Sequence, residues 1–234
     1  MKVSVIIPAH NEKETLPEVV KRLALLRQRF NYKLEAIIVD DGSTDNTGEV
    51  ADLLAKLYPF VRVYHHEVRR GLTEALRTGF LRATGDVIVF VPADMESDPL
   101  EDVPKLLLGL SKGYDMVVGC RVNRKVPFSS KVYNFILRMV FGLKIRDANW
   151  IKAFRREVMS CFLYEPGFHR YLAFFAKKAG FRVGEVEVKY HPRQHGRSKF
   201  KSTKALKGAM DLIKALVLFK CKGVVRYARE TRGR

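Results

Sequence analysis

Three groups of side chains in this sequence carry chemistry by their type and spacing. The first is acidic: Glu12 in the run Pro8-Ala9-His10-Asn11-Glu12, and Asp40-Asp41 in Asp40-Asp41-Gly42-Ser43. Carboxylates placed at strand ends suit ribose hydroxyls and base amino groups. Asp, Gly and Ser are also turn formers, so the second run reads equally well as a tight turn into a helix. The second group is Pro92-Ala93-Asp94-Met95-Glu96-Ser97-Asp98, with carboxylates at alternate positions. Hard oxygen ligands with room left for diphosphate oxygens suit Mg²⁺ or Mn²⁺, and such an ion would neutralise a departing diphosphate. A solvated acidic loop before Pro99 is the plainer alternative. The third group is basic: Arg121, then Arg193, Arg197 and Lys199. Arginine forks match phosphate oxygens and lysine supplies a point charge, although charge runs are often only solvated faces.

The glycine signatures of other nucleotide sites are missing. Pro8 to Glu12 contains no glycine, which excludes both the G-x-G-x-x-G turn and the P-loop.

The elements that must position these groups follow from the apolar pattern. Short β-branched runs predict buried strands at 3–7, 36–39, 61–64, 86–91 and 114–119. Helical periodicity predicts helices over 15–29, 45–57 and 72–83. Strands alternating with helices imply a mostly parallel sheet with right-handed crossovers. Ligands then sit at the carboxyl ends of the strands, which is where the acidic groups and Arg121 fall. Beyond residue 121 the alternation stops. Helices are expected over 130–141 and 152–163, and a strand over 182–190. A basic amphipathic helix or two is expected over 202–229, with Leu206, Met210, Ile213 and Val217 on one face.

Composition bounds the rest. The chain has 234 residues, 47% hydrophobic, with a formal charge of +18; one α/β domain with an appendage fits that length. Residues 1–100 hold 13 basic and 15 acidic side chains, a net of −2, whereas 101–200 carry +12 and 201–234 carry +8. A basic face made by particular segments expects an anionic partner. No nucleic-acid motif is visible and aromatics are not interleaved with the basic residues, so nucleic acid is not the expected one. Cys120, Cys161 and Cys221 lie far apart, without metal or disulfide spacing. No run approaches a membrane span and Lys2 opens straight into a strand pattern, with no signal peptide. A cytoplasmic protein is the expectation.

Taken together, Val5 to Glu12, Val39 to Thr47, and Gly71-Leu72-Thr73-Glu74-Ala75-Leu76 resemble the family 2 glycosyltransferases of GT-A fold. Gly119-Cys120-Arg121, Asp147, Phe154 to Val158, and Arg193 through Gly196 to Ser198-Lys199 are similar to the polyprenyl-phosphate branch, the dolichol-phosphate mannose synthase group. The resemblance covers residues 3–200. It implies a GT-A (nucleotide-diphospho-sugar transferase) fold over 1–200, with 201–234 as a basic amphipathic helical tail.

The resemblance implies nucleotide contacts from Pro8, His10, Glu12, Val39, Asp41, Ala93 and Asp94. It places the metal on Asp94, with Glu96 beside it, and phosphate binding on Arg121, Arg193 and Lys199. Pro92 stands where the family has the first Asp of its D-x-D element, which leaves donor sugar and base open. The implied activity is metal-dependent, inverting transfer of a hexose, GDP-mannose being the expected donor, to dolichyl or polyprenyl phosphate. Asp147 would be a base if the acceptor were a sugar hydroxyl, or a structural partner of Arg or Lys if it were a phosphate. A glycosyltransferase acting on a glycan hydroxyl and an inactive basic binding module are the alternatives. The tail would lie on the cytoplasmic face of a membrane, unless it packs on the domain or a membrane protein anchors the chain.

Overall fold

The computed structural model describes residues 1–123, 135, 139, 142, 145–147, 150–161 and 168–192. Its apolar runs form one seven-stranded sheet. The strands are β1 (Lys2–Ala9), β2 (Lys33–Asp41), β3 (Val61–His66), β4 (Val87–Phe90), β5 (Met116–Val122), β6 (Lys152–Arg155) and β7 (Val183–Lys189). Their order is β3-β2-β1-β4-β6-β5-β7. β6 runs antiparallel to both its neighbours, and every other pairing is parallel. The mostly parallel α/β architecture read from the sequence is the one observed.

Helices cover both faces, which is why the central strands are apolar without alternation. Helices α1 (Leu16–Phe30), α2 (Thr47–Leu57) and α4 (Pro99–Ser111) bury Leu23, Ala51 and Leu106 against Val5, Ile7 and Ile38. Helices α3 (Leu72–Arg82) and α5 (Leu172–Lys178) bury Phe80 and Phe175 against Ile6, Ile37 and Phe154 on the other face. α3 approaches β1 closely because Gly79 has no side chain; a Cβ there would lie 2.4 Å from Ile6 Cγ2.

Chain order reverses beside β1: β2 and β3 extend to one side, then β4 returns to the other. Such a switch point opens a crevice at the carboxyl ends of the strands. The loops after β1 and β4 flank it.

The stretch expected as a helix over 152–163 is instead β6 followed by a 3₁₀ segment, Arg156–Cys161. Phe154, Val158 and Cys161 are all wholly buried on one face, and their spacing mimics a helical stripe. Pairing with both β4 and β5 overrides it. The helix expected over 130–141 is described only at Phe135 and Met139, and the segment 193–234 lies outside the described residues.

The sheet's other end is held by a buried carboxylate. Glu35 accepts from the Thr84 amide (2.7 Å), the Thr84 hydroxyl (2.9 Å) and the Ser4 hydroxyl (2.5 Å), and pairs with Arg62 and with Lys2 (3.3 Å). Burial alone would raise its pKa, but the bonds from Ser4 and Thr84 and the Arg62 charge bring it down to about 2. A depressed carboxylate pKa stabilises the fold above the unfolded value and loses that contribution as pH falls toward the folded one. Glu35→Gln is therefore expected to cost about 1–3 kcal/mol at pH 7 and to flatten the loss of melting temperature between pH 5 and 2.5. Thermal melts across that range check it.

Candidate active site

The loops after β1 and β2 are stitched together at the crevice. Asn11, held at φ 56°, bridges the two loops. Its amide donates to Ser43 Oγ (3.0 Å) and its Oδ1 accepts from the Thr44 amide (2.8 Å). The Glu12 amide donates to Thr47 Oγ1 (2.9 Å), while its carboxylate accepts from the Thr15 hydroxyl (3.3 Å) at the start of α1. His10 Nδ1 lies 3.0 Å from the Asp41 carbonyl. A carbonyl only accepts, so Nδ1 carries a proton.

Adjacent strand residues point to opposite faces, and the two aspartates of β2 do different work. Asp40 turns toward α2, where Oδ1 accepts from the Ser43 amide (3.2 Å) and Oδ2 meets His65 Nδ1 (3.1 Å). Asp41 turns toward α3 and is 4% exposed. Its carboxylate accepts from the Arg70 amide (2.8 Å), the Gly71 amide (2.8 Å) and His66 Nδ1 (2.9 Å), while His66 Nε2 reaches Thr78 Oγ1 (2.9 Å). The 67–71 loop thus lies directly over the Asp41-Gly42 turn. Gly42 has φ +61°, and a Cβ on it would sit 2.4 Å from the Arg69 nitrogen. Asp41 pins a loop at the crevice, and any nucleotide it contacted would share it with those donors.

After β4 the three alternate carboxylates separate by role. Asp98 caps α4 through the Leu100 amide (2.9 Å) and pairs with Arg22. Ser97 donates to Asp102 (2.8 Å) inside the same helix start. Asp94, 8% exposed, accepts from the Glu96 amide (3.1 Å), with Met95 at φ 56° turning the chain between them. The Glu96 carbonyl takes the His191 amide (3.0 Å), fixing this loop to the end of β7.

Among the described residues no group of three or more His, Cys, Asp or Glu side chains could hold a metal ion. Mg²⁺ in substrate sites is bound by one or two carboxylates, with phosphates and waters completing its shell. The Asp94 and Glu96 pair, all hard oxygen, fits that requirement.

A cationic group closes the same end of the sheet. Arg121, near the end of β5, grips Asp147 with two prongs, Nε to Oδ2 at 2.5 Å and Nη2 to Oδ1 at 3.0 Å. Its guanidinium lies 4.2 Å from the centre of the Trp150 ring. Lys152, the first residue of β6, is 5% exposed and its ammonium stands 6.0 Å from the Phe90 ring centre. Burial lowers the Lys152 pKa to about 8, with Asp147 pulling the other way. His169 Nδ1 bonds the Thr73 hydroxyl (2.9 Å), and burial, with the charges of Lys152 and Arg170, lowers its pKa to about 3, keeping the ring neutral.

Of the residues singled out from the sequence, Pro8, His10 and Glu12 follow or end β1, and Ala93, Asp94 and Glu96 follow β4. Arg121 and Asp147 meet directly. Val39 is wholly buried in the core on the α3 side. Arg193 and Lys199 lie outside the described residues. Lys152, Trp150, His66 and His169 were not among the sequence candidates. The signal for Lys152 was there: one lysine inside the apolar run Trp150-Ile151-Lys152-Ala153-Phe154.

The mostly parallel, helix-flanked sheet and the solved structures that share it place the chain in the GT-A class of glycosyltransferase folds. Glucosyl-3-phosphoglycerate synthase from Mycobacterium tuberculosis, solved with Mn²⁺ and UDP-glucose, shares this fold. Its TM-score is 0.74 at 23% identity, over 92% of this chain and 78% of that one. The same enzyme with Mg²⁺ and UDP superposes with a TM-score of 0.72. The family model described as Glycosyl transferase family 2 matches residues 4–178, and the chain belongs to that family.

Curated relatives include the undecaprenyl-phosphate 4-deoxy-4-formamido-L-arabinose transferase of Pseudomonas savastanoi pv. phaseolicola. It is 30% identical over 218 residues, 90% of this chain and 64% of that protein. The transferase of the same description from Serratia proteamaculans is 30% identical over 222 residues, 92% of this chain and 68% of that one. The chain thus spans less than two thirds of the Pseudomonas relative's length.

Proposed function

We propose that this chain moves a sugar from a nucleotide-diphosphate donor onto the phosphate of a polyprenyl acceptor. One observation carries the reading: the Asp94 and Glu96 carboxylates and the Arg121–Lys152 cations occupy the same end of one sheet. The first pair suits a diphosphate with a divalent ion; the second suits an anionic acceptor. Two curated relatives described as acting on undecaprenyl phosphate support the acceptor class.

In that reaction an acceptor phosphate oxygen attacks the anomeric carbon as the bond to the donor diphosphate breaks. The departing nucleoside diphosphate keeps the electron pair, and in-line attack inverts the centre. The nucleophile is already anionic near neutral pH, so no strong general base is required. The protein's task is to hold two anions at one carbon and to steady the leaving group. Asp94 and Glu96 would hold Mg²⁺ or Mn²⁺, which would supply charge neutralisation for the diphosphate. The β1 and β2 loops, with His10 and Glu12, would seat the nucleoside. Asp147 is engaged by both prongs of Arg121, which suits a structural partner better than a base for a hydroxyl acceptor. Arg193 and Lys199 would add phosphate contacts. Among the described residues no helix is long and apolar enough to cross a membrane. The 201–234 tail, with 10 basic and 2 acidic residues, would hold the chain at the cytoplasmic face of an anionic bilayer.

The test is a transfer assay of the full chain with labelled GDP-mannose, UDP-glucose and a nucleotide-linked 4-deoxy-4-formamido-L-arabinose, with dolichyl or undecaprenyl phosphate and Mn²⁺. Radiolabel entering the lipid phase supports the reading, and the donor that works decides between a hexose and the formamido-pentose of the relatives. Asp147→Asn should then retain the inverted product at a reduced rate. Transfer only to glycan hydroxyls, abolished by Asp147→Asn, would replace the phosphate acceptor with a sugar. Absence of transfer from every donor would leave a binding module.

A further inference from the structure

Helix α4 turns an apolar stripe to the core, and Leu106 and Leu110 lie buried along it. One turn before Leu106 the same stripe reaches Asp102, 1% exposed, where helical spacing calls for another aliphatic residue. Capping does not explain the carboxylate. Asp98 already caps the helix through the Leu100 amide (2.9 Å), and Glu101 supplies charge to its first turn. Asp102 Oδ2 accepts from the hydroxyl of the wholly buried Ser97 (2.8 Å). Its Oδ1 has no hydrogen-bond partner, and Lys105 Nζ stands 3.6 Å away. Burial raises the pKa of this carboxyl and Asp98 adds to the rise, against the Ser97 bond and the charges of Lys105 and His191. A half-bonded carboxylate in an apolar stripe costs stability relative to an aliphatic side chain.

The group it holds is the residue after Glu96. The 92–97 loop leaves β4 where the Val91 amide bonds the Ile6 carbonyl (3.0 Å), and it enters α4 at Asp98. Asp94 and Glu96 lie in its middle, with Met95 at φ 56° between them. Two bonds to other elements fix its second half: the Glu96 carbonyl to the His191 amide (3.0 Å) after β7, and Ser97 to Asp102 on α4. Glu96 thus sits between two adjacent anchors, and neither of them uses its carboxylate.

We propose that Asp102, acting through Ser97, is a positioning residue that holds Glu96 where it and Asp94 take one divalent ion together. The inference rests on the reading of Asp94 and Glu96 as ligands of Mg²⁺ or Mn²⁺. A site with only two protein carboxylates depends on their spacing, since phosphates and waters supply the remaining ligands. Groups that orient metal ligands from behind therefore act on metal affinity without touching the ion.

The experiment measures calorimetric affinity for UDP and GDP, with Mn²⁺ and with chelator, in the full chain and its variants. These are Ser97→Ala, Asp102→Ala, Asp102→Asn and the double variant Ser97→Ala/Asp102→Ala, with Asp94→Ala as the reference for a lost metal ligand. The probe is the nucleotide that Mn²⁺ makes the wild type bind more tightly. Ser97→Ala and Asp102→Ala should each weaken affinity in Mn²⁺ about 3- to 10-fold, with affinity in chelator within about twofold. Asp102→Asn, whose amide oxygen still accepts from Ser97, should stay within about twofold of wild type in Mn²⁺. The double variant should lose no more than the larger single loss, because both residues act through one bond. A role confined to the helix would move the melting temperature and leave the ratio of the two affinities at its wild-type value. If Asp102→Ala fails to fold, Ser97→Ala and Asp102→Asn carry the test.

Losses of equal size in chelator, or losses that multiply in the double variant, overturn the assignment. Mn²⁺ dependence that vanishes in Asp94→Ala but is unchanged in Ser97→Ala and Asp102→Ala leaves the metal pair standing and removes the positioning role alone. A wild type that binds neither nucleotide more tightly with Mn²⁺ removes the metal reading, and the positioning role with it.

Discussion

Asp94→Ala is expected to lower kcat/KM for sugar transfer at least 100- to 1,000-fold, the scale of removing one preorganised stabiliser of a developing anion. The cost to the fold should be small: Asp94 sits in a loop after β4, and its loss removes one acceptor from the Glu96 amide. Melting temperature should therefore fall by no more than about 2–4 °C. Two measurements separate a metal ligand from a residue that only shapes the loop. Wild-type nucleotide affinity should depend on Mn²⁺ and fall with chelator, and in Asp94→Ala that dependence should vanish. Glu96→Gln should keep part of both, with a loss of about tenfold, because its carbonyl, not its carboxylate, fastens the loop to His191. Transfer that survives Asp94→Ala would remove the metal from this position, and Pro92 in the place of a first aspartate would then mark a site that works without one.

The sheet was legible where strands are short, β-branched and buried on both faces. Val3 to Ile7 and Ala36 to Val39 admit no other element of comparable length. β6 was not legible, because Phe154, Val158 and Cys161 fall at helical spacing while the backbone of Lys152–Arg155 pairs with two strands that are distant in sequence. That pairing is a tertiary fact, and no local pattern encodes it. α4 was written plainly in capping chemistry, with Asp98 at the N-cap, Pro99 in the first turn and Glu101 and Asp102 near the positive end of the helix. Reading Asp98 with Asp94 and Glu96 as one acidic cluster hid it. A capping residue and a metal ligand are both exposed acceptors in sequence; only the neighbouring amide distinguishes them.

The candidate site was legible by loop and not by side chain. Strand-end carboxylates located the crevice, since strand ends are where such sheets bind ligands. Which way each one turns depends on the pleat, and Asp40 and Asp41 were therefore indistinguishable until the strand had a register. The buried cation was hidden for a related reason. With 152–163 read as a helix, Lys152 falls on an ordinary basic face; as the first residue of an internal strand it becomes a charge inside the core. The charge asymmetry of the chain takes on the same logic. Residues 1–100 are near neutral and place Asp40, Asp41, Asp94 and Glu96 at strand ends, whereas the excess falls over 101–234, a stretch that includes Arg121 and Lys152.

Asp41→Ala is expected to destabilise the protein by about 3–5 kcal/mol, since it leaves the buried His66 ring and two part-buried loop amides without their common acceptor. For a chain of this size that corresponds to a fall in melting temperature of roughly 6–20 °C. The Arg70 and Gly71 amides and His66 Nδ1 all converge on this carboxylate, and the 67–71 loop packs so closely on Gly42 that a Cβ there would lie 2.4 Å from the Arg69 nitrogen. Asp41→Asn retains one good acceptor but turns an amino group toward a second donor, so its loss should be about half as large. Hydrogen exchange at Arg70 and Gly71 should speed up in both variants, ahead of the β1 and β2 amides. Nucleotide affinity should fall with the loop, because the same turn carries the Asp41 carbonyl that His10 grips. A residue that served the ribose alone would behave differently: nucleotide affinity would drop while the melting temperature and the Arg70 and Gly71 protection stayed at wild-type values. The carboxylate cannot satisfy three protein donors and still be dispensable to the fold, so the stability loss is the measurement that decides which role comes first.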